Sequence, residues 1–161
     1  FDDTLATTDC RVLVCSKARG AMNRVVKALT PAEFNGYELP ENAEFDFSEF
    51  RSEKFIREAK PTFLINLAKE VHDEGHSLYV LTARADNVAA AITDWLLGFG
   101  VKPVRVFGVG SDDKKTDIAE EKQKVLTTLT QAFDLVYFYD DHKDNCELAH
   151  MLGSGIKVYL V

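Results

Sequence analysis

Two pairs of adjacent aspartates are the residues of this sequence whose types and positions could do chemistry. Asp2 and Asp3 stand in the opening stretch FDDTL, and Asp140 and Asp141 directly follow an apolar run. Carboxylate oxygens are the ligands that Mg²⁺ prefers, and one or two of them with retained waters form its usual protein shell. The first pair by itself favours a helix-capping turn. Two pairs that both follow strands instead predict a cation and phosphate site at one edge of a sheet.

A hydroxyl and a guanidinium are predicted at the same edge. Thr82-Ala83-Arg84 follows a strand predicted over 77–81, and Thr82 and Arg84 could both hold a phosphoryl group, the arginine through a fork of donors. The alternative is a plain turn capped by Asp86, which would be favoured for Thr82 alone. Thr82 and Arg84 follow a strand that ends at the same edge of the sheet as the acidic pairs. This position favours the phosphoryl-binding role.

Lys122 is predicted to point toward the acidic pairs. On a helical wheel it falls within an apolar stripe, whereas Lys124 lies on the opposite face. Lysine is almost never fully buried without a partner. Its stem either snorkels to water or its ammonium meets a buried anion, and the two acidic pairs favour the anion.

Alternating helix and strand patterns place these residues on one fold. Periodicity and capping residues predict helices over about 62–74, from Asp86 onward, over about 117–131 and over about 145–152. Apolar runs predict strands at 77–81, 104–107, 135–139 and 156–161. The alternation predicts an α/β fold with a parallel sheet covered on both faces. Ligands bind such sheets at the carboxyl ends of the strands.

The stretch between Leu5 and Lys60 interrupts this alternation. Runs at 11–15 and 24–28 predict a β-hairpin, and residues 29–60 carry irregularly spaced aromatics. A disordered linker would be depleted in aromatics. We therefore expect residues 6–60 to form a small insertion, packed on a single domain that spans 1–161.

Composition limits the class of protein. With 161 residues, 46% of them hydrophobic, the chain can bury one core without disulfides. A net charge of −7 disfavours nonspecific binding to nucleic acid or anionic membrane. No apolar run reaches the ~18 residues of a membrane span, and no signal-peptide pattern is visible, so we expect a cytoplasmic protein.

A second phosphate-binding pattern is weaker. Gly108-Val109-Gly110, followed by Lys114 and Lys115, matches a glycine-rich phosphate loop only in part, because a third glycine is absent. Two aspartates at 112–113 would also repel phosphate. We expect a turn after the strand at 104–107.

Four features in chain order resemble the motifs of the haloacid dehalogenase (HAD) superfamily of phosphatases. They are the FDDTL opening, Thr82 after a hydrophobic strand, the inward Lys122, and Asp140-Asp141. The match spans nearly the whole chain. The resemblance implies a Rossmann-like three-layer sandwich with a mostly parallel sheet. It also implies an Mg²⁺-dependent phosphomonoesterase that forms an aspartyl-phosphate.

The resemblance assigns roles to individual residues. Asp2 would act as general acid and base, Thr82 would bond a phosphoryl oxygen, and Lys122 would offset charge on the phosphate and nucleophile. Apart from the resemblance, the positions of Thr4 and Arg84 predict that both contact substrate. The implied magnesium ligands are the Asp2 backbone carbonyl and Asp141, with Asp140 and Asn145 as supporting or alternate ligands.

The same register puts the nucleophile outside the sequence. With Thr4 as the last motif member, the nucleophilic Asp falls one place before Phe1, and Phe1 and Asp3 are spacers. Because the chain opens with Phe rather than Met, we expect a natural N-terminus to be missing. The resemblance implies that the natural protein continues upstream with a central strand ending in that Asp. The resemblance implies five core strands, of which four are found. The 161 residues alone are then expected to be inert.

Several substrate classes fit the sequence. Specificity in this family comes from a cap, and the insertion occupies the usual cap position but is small for a full lid. An open site suits a phosphorylated macromolecule or a nucleic-acid end, although the acidic charge disfavours the latter. A nucleotide or small metabolite fits equally. The rival from another class is a non-catalytic domain that keeps the fold and metal pocket.

Overall fold

The computed structural model describes residues 1–18, 20, 23–110 and 117–161. The strands are β1 (Ala6–Thr7), β2 (Val12–Ser16), β3 (Val25–Leu29), β4 (Ala43–Asp46), β5 (Lys60–Pro61), β6 (Tyr79–Ala85), β7 (Arg105–Gly110), β8 (Val136–Asp140) and β9 (Ile156–Leu160). The α-helices are α1 (Pro31–Asn35), α2 (Glu53–Arg57), α3 (Leu64–Asp73), α4 (Ala89–Leu97), α5 (Ile118–Ala132) and α6 (Lys143–His150). Turns of 3₁₀ helix span Ser48–Arg51 and Asp86–Val88. The mixed α/β class is as predicted.

The parallel strands form two separate pairs instead of one continuous sheet. β6 pairs with β7, and β8 pairs with β9, both in parallel. Within the described ranges no hydrogen-bonded ladder joins the two pairs. The expected parallel pairing is present, but the expected single sheet is not, because no described strand lies between β6 and β8.

Successive residues of β6 pack into different hydrophobic clusters. Val80 packs with Ile65 of α3 and Ile92 of α4, whereas Leu81 packs against the cluster that contains Leu126 of α5. Neighbouring residues of a strand point to opposite faces. Helices α3 and α4 therefore cover one face of β6, and α5 covers the other.

A cavity of about 880 Å³ lies between β6 and β8. Its lining includes the successive residues 78–81 on one side and 135–139 on the other. A cavity that touched only one face of a strand would meet every second residue, so this one borders the edges of both strands. Leucines of α3 and α5 also line it. We call this cavity the inter-strand slot.

The insertion forms an antiparallel sheet of its own, in the order β3-β2-β4. Its β2–β3 pairing confirms the predicted hairpin. The small core contains Val12, Val14 and Leu29, with aromatic rings packed against it. A short β1–β5 ladder joins the two ends of the insertion.

The end of β6 differs from the sequence prediction. The strand expected over 77–81 runs through Ala85, so Thr82 and Arg84 lie inside a strand and not in a turn after it. Pairing of Ala85 with Gly110 extends the strand. Asp86 begins a 3₁₀ turn and does not cap α4, whose N-cap position is Val88.

The other helices lie close to their predicted positions. α3 ends before Gly75, which has a φ of 83°, and the Asp117 side chain caps α5 by accepting the N–H groups of Ala119 and Glu120. α6 begins at Lys143, about two residues earlier than expected. No helix in the described part of the chain is long and apolar enough to cross a membrane.

Gly108 and Gly110 belong to β7, which corrects the expectation of a turn there. A Cβ atom on Gly108 would lie 2.6 Å from the Asp86 nitrogen, and one on Gly110 would overlap the Ala83 carbonyl oxygen. Glycine therefore allows the close approach of β7 to the end of β6. Lys114 and Lys115, the basic part of the weaker phosphate-loop pattern, lie outside the described residues.

Gly110→Ala is expected to lower the free energy of unfolding by about 1–3 kcal/mol, because the added methyl group forces backbone apart at the end of β6. Urea denaturation measures this. Gly36→Ala is the matched control, since a Cβ there meets nothing within 4 Å. Equal stability of the two variants would contradict the close packing of β7 on β6.

Candidate active site

A tight turn over residues 1–6 sets the directions of the first acidic pair. Asp3 has a φ of 54°, a left-handed conformation that Asp tolerates better than most residues. The N–H groups of Leu5 and Ala6 donate to the Phe1 carbonyl at 2.9 and 3.0 Å, and the Asp3 N–H donates to the Ala6 carbonyl at 2.8 Å. The Thr62 hydroxyl donates to the Thr4 carbonyl. These bonds anchor the turn next to α3.

Asp140 is held by Lys122. Lys122 Nζ donates to Asp140 Oδ2 at 2.8 Å, and the two side chains are only 8% and 5% exposed. Asp140 Oδ1 accepts the His142 N–H at 2.9 Å and the Asn145 amide at 2.8 Å. Burial would raise the pKa of Asp140, but the charge and hydrogen bond of Lys122 outweigh it and lower the pKa. The predicted inward direction of Lys122 is confirmed, and Lys124 is 68% exposed.

Asp2 is held by Arg84. Arg84 Nε donates to Asp2 Oδ2 at 2.8 Å, and Nη2 donates to Oδ1 at 2.7 Å. The Thr8 hydroxyl donates to the same Oδ1 at 3.0 Å. Burial would raise the pKa of Asp2, but the hydrogen bonds and charge of Arg84 outweigh it and lower the pKa.

The remaining donors of Arg84 bind the insertion. Nη1 donates to the Phe50 carbonyl at 2.9 Å, and Nη2 approaches the Cys10 sulfur at 3.2 Å. The guanidinium also lies over the Phe50 ring, 5.2 Å from its centroid. This placement differs from the expected contact with phosphate, because Arg84 instead fixes Asp2 and joins the insertion to the end of β6.

The two acidic pairs meet at one place, which we call the acidic edge (Asp2, Asp3, Asp140 and Asp141). The Thr4 hydroxyl donates to Asp141 Oδ1 at 2.9 Å, which links the two pairs directly. Burial, followed by the charges of Asp141 and Asp2, raises the pKa of Asp3. The carboxylates are therefore near enough to repel one another.

The start of the chain lies within the acidic edge. The backbone nitrogen of Phe1 is buried, close enough to Asp2, Lys122, Asp140 and Asp141 to interact with their charges. Phe1 also lines the inter-strand slot. The lining of the slot also includes Thr4 and Tyr139, so this end of the slot lies next to the acidic edge in the chain.

Thr82 and Asn145 have defined positions beside these groups. Thr82 is 2% exposed, and its hydroxyl accepts the Arg84 N–H at 3.2 Å. Asn145 is buried and binds Asp140 through its side-chain amide. Asn145 therefore orients the Asp140 carboxylate in this structure.

The chemistry of the acidic edge fits Mg²⁺. Within the described residues no group of three or more His, Cys, Asp or Glu side chains could hold a metal, but Mg²⁺ is commonly held by one or two carboxylates and several waters. Both Asp140 oxygens already accept hydrogen bonds, whereas Asp141 is exposed and accepts one from Thr4. Burial, followed by the charges of Asp141 and Asp2, raises the pKa of Asp3, and a cation at Asp141 would offset the contribution of these charges.

Sequence reasoning missed the residues that complete the Arg84 site. Thr8, Cys10 and Phe50 contact Arg84 across separations of 76, 74 and 34 residues. No spacing pattern marks such contacts, because folding of the insertion onto the end of β6 creates them.

Comparisons with protein-family models, with curated proteins and with solved structures found no match to this chain.

Lys122→Met is expected to lower the free energy of unfolding by about 3–5 kcal/mol, because it leaves Asp140 buried without its cation. Lys124→Met on the same helix should change stability little, since its side chain lies in solvent. Combining Lys122→Met with Asp140→Asn should recover part of the loss. Chemical denaturation measures all three, and equal small effects at both lysines would contradict the buried ion pair.

Acid should destabilise the fold through Asp2 and Asp140. Their folded pKa values are lowered, so their contribution to stability is present above the unfolded value of about 3.9 and is lost as the pH falls through the folded values. Asp140→Asn should make the free energy of unfolding fall less steeply with decreasing pH. Asp3→Asn should make it fall more steeply, because a raised folded pKa stabilises the fold as the pH decreases. Denaturation between about pH 2 and 7 tests both signs, and an unchanged slope in Asp140→Asn would contradict the assignment.

Proposed function

We propose that the protein is an HAD-like, Mg²⁺-dependent phosphomonoester hydrolase that acts through an aspartyl-phosphate. The observation that carries this proposal is the meeting of the two acidic pairs near Phe1, where Lys122 binds Asp140 and Thr4 binds Asp141. The site combines carboxylates for a metal with hydroxyl and ammonium groups for phosphate. Such a set suits phosphoryl transfer, which depends on positioning and charge stabilisation.

The proposed fold is a three-layer, Rossmann-like sandwich with one mostly parallel sheet. In support, α3 and α5 cover opposite faces of β6, and two parallel pairs face each other across the slot. A strand in the slot would make the four parallel strands into a five-stranded sheet. The proposed upstream segment would be that strand.

The proposed nucleophile is an Asp immediately before Phe1. A residue joined to the Phe1 nitrogen would lie near the acidic edge, because that nitrogen is close enough to Asp2, Lys122, Asp140 and Asp141 to interact with their charges. Its carboxylate would attack phosphorus while the bond to the leaving oxygen breaks. Water would then attack the phosphoryl-aspartate and release inorganic phosphate.

Asp2 is the proposed acid and base of these two steps. It would give a proton to the leaving oxygen and take one from the attacking water. Arg84 holds Asp2 in a fixed orientation and favours its carboxylate form. Asp2 is thereby prepared for the step in which it accepts a proton from water. Protonation of the leaving oxygen is the step that this ion pair disfavours.

The other residues would stabilise charge. The Lys122 ammonium donates a hydrogen bond to Asp140 in the structure. In the reaction it would offset negative charge on the phosphate and the nucleophile. Thr82 and Thr4 would supply hydroxyl groups to phosphoryl oxygens. Mg²⁺, when bound, would neutralise charge and orient the phosphate. The residues proposed to hold it are the Asp2 backbone carbonyl, Asp141, Asp140 and Asn145.

The proposed substrates are phosphorylated small molecules or phosphorylated ends of macromolecules. The insertion is anchored at the end of β6 through Arg84, beside the acidic edge, where it would contact the group that carries the phosphate. The net charge of −7 gives no support to a nucleic-acid substrate.

A chain extended upstream with a strand ending in Asp should hydrolyse p-nitrophenyl phosphate in the presence of Mg²⁺, and the 161-residue chain should not. Changing that Asp alone to Asn should abolish turnover, because the phosphoryl group then has no acceptor. In the extended chain, Lys122→Ala should lower kcat by ~100-fold or more, whereas Lys124→Ala should leave kcat nearly unchanged.

Two outcomes would contradict this function. Turnover by the 161-residue chain, free of contaminating phosphatase, would refute the motif register. A folded, Mg²⁺-binding extended chain that hydrolyses none of a broad panel of phosphate esters would favour the non-catalytic alternative.

A further inference from the structure

A second cavity, of about 400 Å³, lies between the end of α2 and the second half of α4. We call it the α4 groove. Three small residues (Ala59, Ala91 and Gly98) line it, together with two aromatic rings and two charged side chains. It shares no lining residue with the inter-strand slot. Its volume falls within the range of small-molecule sites, which is roughly 300–1,000 Å³.

Trp95 and Phe99 form the aromatic wall of the α4 groove. Their ring centroids are 4.7 Å apart. The Trp95 indole N–H donates to the Ala59 carbonyl at 3.1 Å, and Phe1 packs edge-on against the indole at a centroid distance of 5.3 Å. These contacts fix Trp95, whereas Phe99 is 36% exposed. The faces of such rings attract cations, so the wall favours a positively charged ligand.

Asp94 supplies the unpaired charge of the α4 groove. The other charged lining residue, Arg57, is bound to Glu53 at 2.9 Å. In the part of the chain that the structure describes, the Asp94 side chain has no hydrogen-bond or ion-pair partner. The last turn of α4 also contains no basic residue, although the helix dipole favours a cation there. A carboxylate and a helix C-terminus therefore both favour a cation beside the aromatic wall.

A guanidinium fits this combination better than other cations. Hard metal ions take several oxygen ligands, and the groove lining has one carboxylate. An ammonium is a compact, strongly hydrated charge, whereas a guanidinium is planar, weakly hydrated, binds a carboxylate through a fork of donors and stacks on rings. The protein already holds one guanidinium in this way. Arg84 donates to the Asp2 carboxylate at 2.8 and 2.7 Å and lies 5.2 Å from the Phe50 ring centroid.

We propose that the α4 groove binds a small organic cation that carries a guanidinium group on a short aliphatic chain. The guanidinium donates to the Asp94 carboxylate and lies over the Phe99 ring, and the aliphatic chain lies along Ala59 and Ala91. The cavity of about 400 Å³ accommodates the whole of such a molecule, so the occupant is a free small molecule. This site is independent of the proposed phosphatase activity.

Trp95 is the single tryptophan of the chain, so its fluorescence reports binding in the α4 groove. Titration with n-butylguanidine should change the emission saturably, with an apparent Kd on the order of 1 mM. n-Butylamine should bind ~5-fold more weakly or worse, because its ammonium is more strongly hydrated. Sodium chloride at equal ionic strength should give no saturable change. Amide NMR shifts should change within 57–59 and 91–99.

Two substitutions test the residues assigned to the ligand. Asp94→Asn should weaken binding of n-butylguanidine by ~10-fold or more, because a charge-assisted hydrogen bond is lost. Asp94 is exposed, so this variant should fold normally, and thermal unfolding checks that it does. Phe99→Ala should weaken binding by ~3-fold. Asp144→Asn is the matched control, since it removes the same charge from an exposed residue of α6 and should leave the Kd unchanged.

Several outcomes would overturn this site. They are an unchanged Kd in Asp94→Asn, equal weakening in Asp94→Asn and Asp144→Asn, and NMR shifts that leave 91–99 unaffected. Equal affinity for n-butylamine would overturn the assignment of a guanidinium. Tighter binding of a capped tripeptide with a central arginine than of n-butylguanidine would overturn the assignment of a free small molecule.

Discussion

The acidic edge depends on two buried cations. Four carboxylates near one another would repel, and burial adds a desolvation cost to those that leave water. Arg84 offsets this cost for Asp2 with two hydrogen bonds, and Lys122 offsets it for Asp140. Both arrangements lower the pKa of the carboxylate that they hold, so the ionised forms persist at neutral pH.

The two cations leave the acidic edge unevenly neutralised. Asp2 and Asp140 are matched by buried partners, whereas Asp141 accepts a hydrogen bond from the Thr4 hydroxyl and from no other side chain in the described part of the chain. Burial and the charges of Asp141 and Asp2 raise the pKa of Asp3. The negative charge that remains unneutralised therefore lies near Asp3 and Asp141. An added cation would be stabilised most strongly there.

Arg84 also makes the insertion part of the site. One guanidinium joins the Asp2 carboxylate, the Thr8 hydroxyl and the Phe50 carbonyl. An arginine is suited to this role because its planar fork presents several donors in fixed directions. Movement of the 3₁₀ turn at Ser48–Arg51 would therefore disturb the group that orients Asp2.

Local sequence determined most of the helices and strands outside the insertion, together with the direction of Lys122. The alternation of strands and helices, the Asp117 cap of α5 and the β2–β3 hairpin follow from short-range periodicity and capping chemistry, and the structure contains all of them. Lys122 was identifiable because a charge on an apolar helical stripe requires a buried partner. The end of β6 was not, because its extension through Ala85 depends on pairing with Gly110 in another strand.

Only the tertiary structure decided which groups meet. The donors of Arg84 suit a phosphate or a carboxylate equally, so its partner depends on which groups the fold brings close to it. Those groups are Asp2, 82 residues away in the chain, and Phe50, 34 residues away. The separation of the parallel strands into two pairs could not be predicted from the sequence either. The residue pattern of a strand indicates how far it is buried, but it does not indicate which strand lies beside it. Sequence fixes what each segment tends to form, whereas long-range packing fixes which side chains share a site.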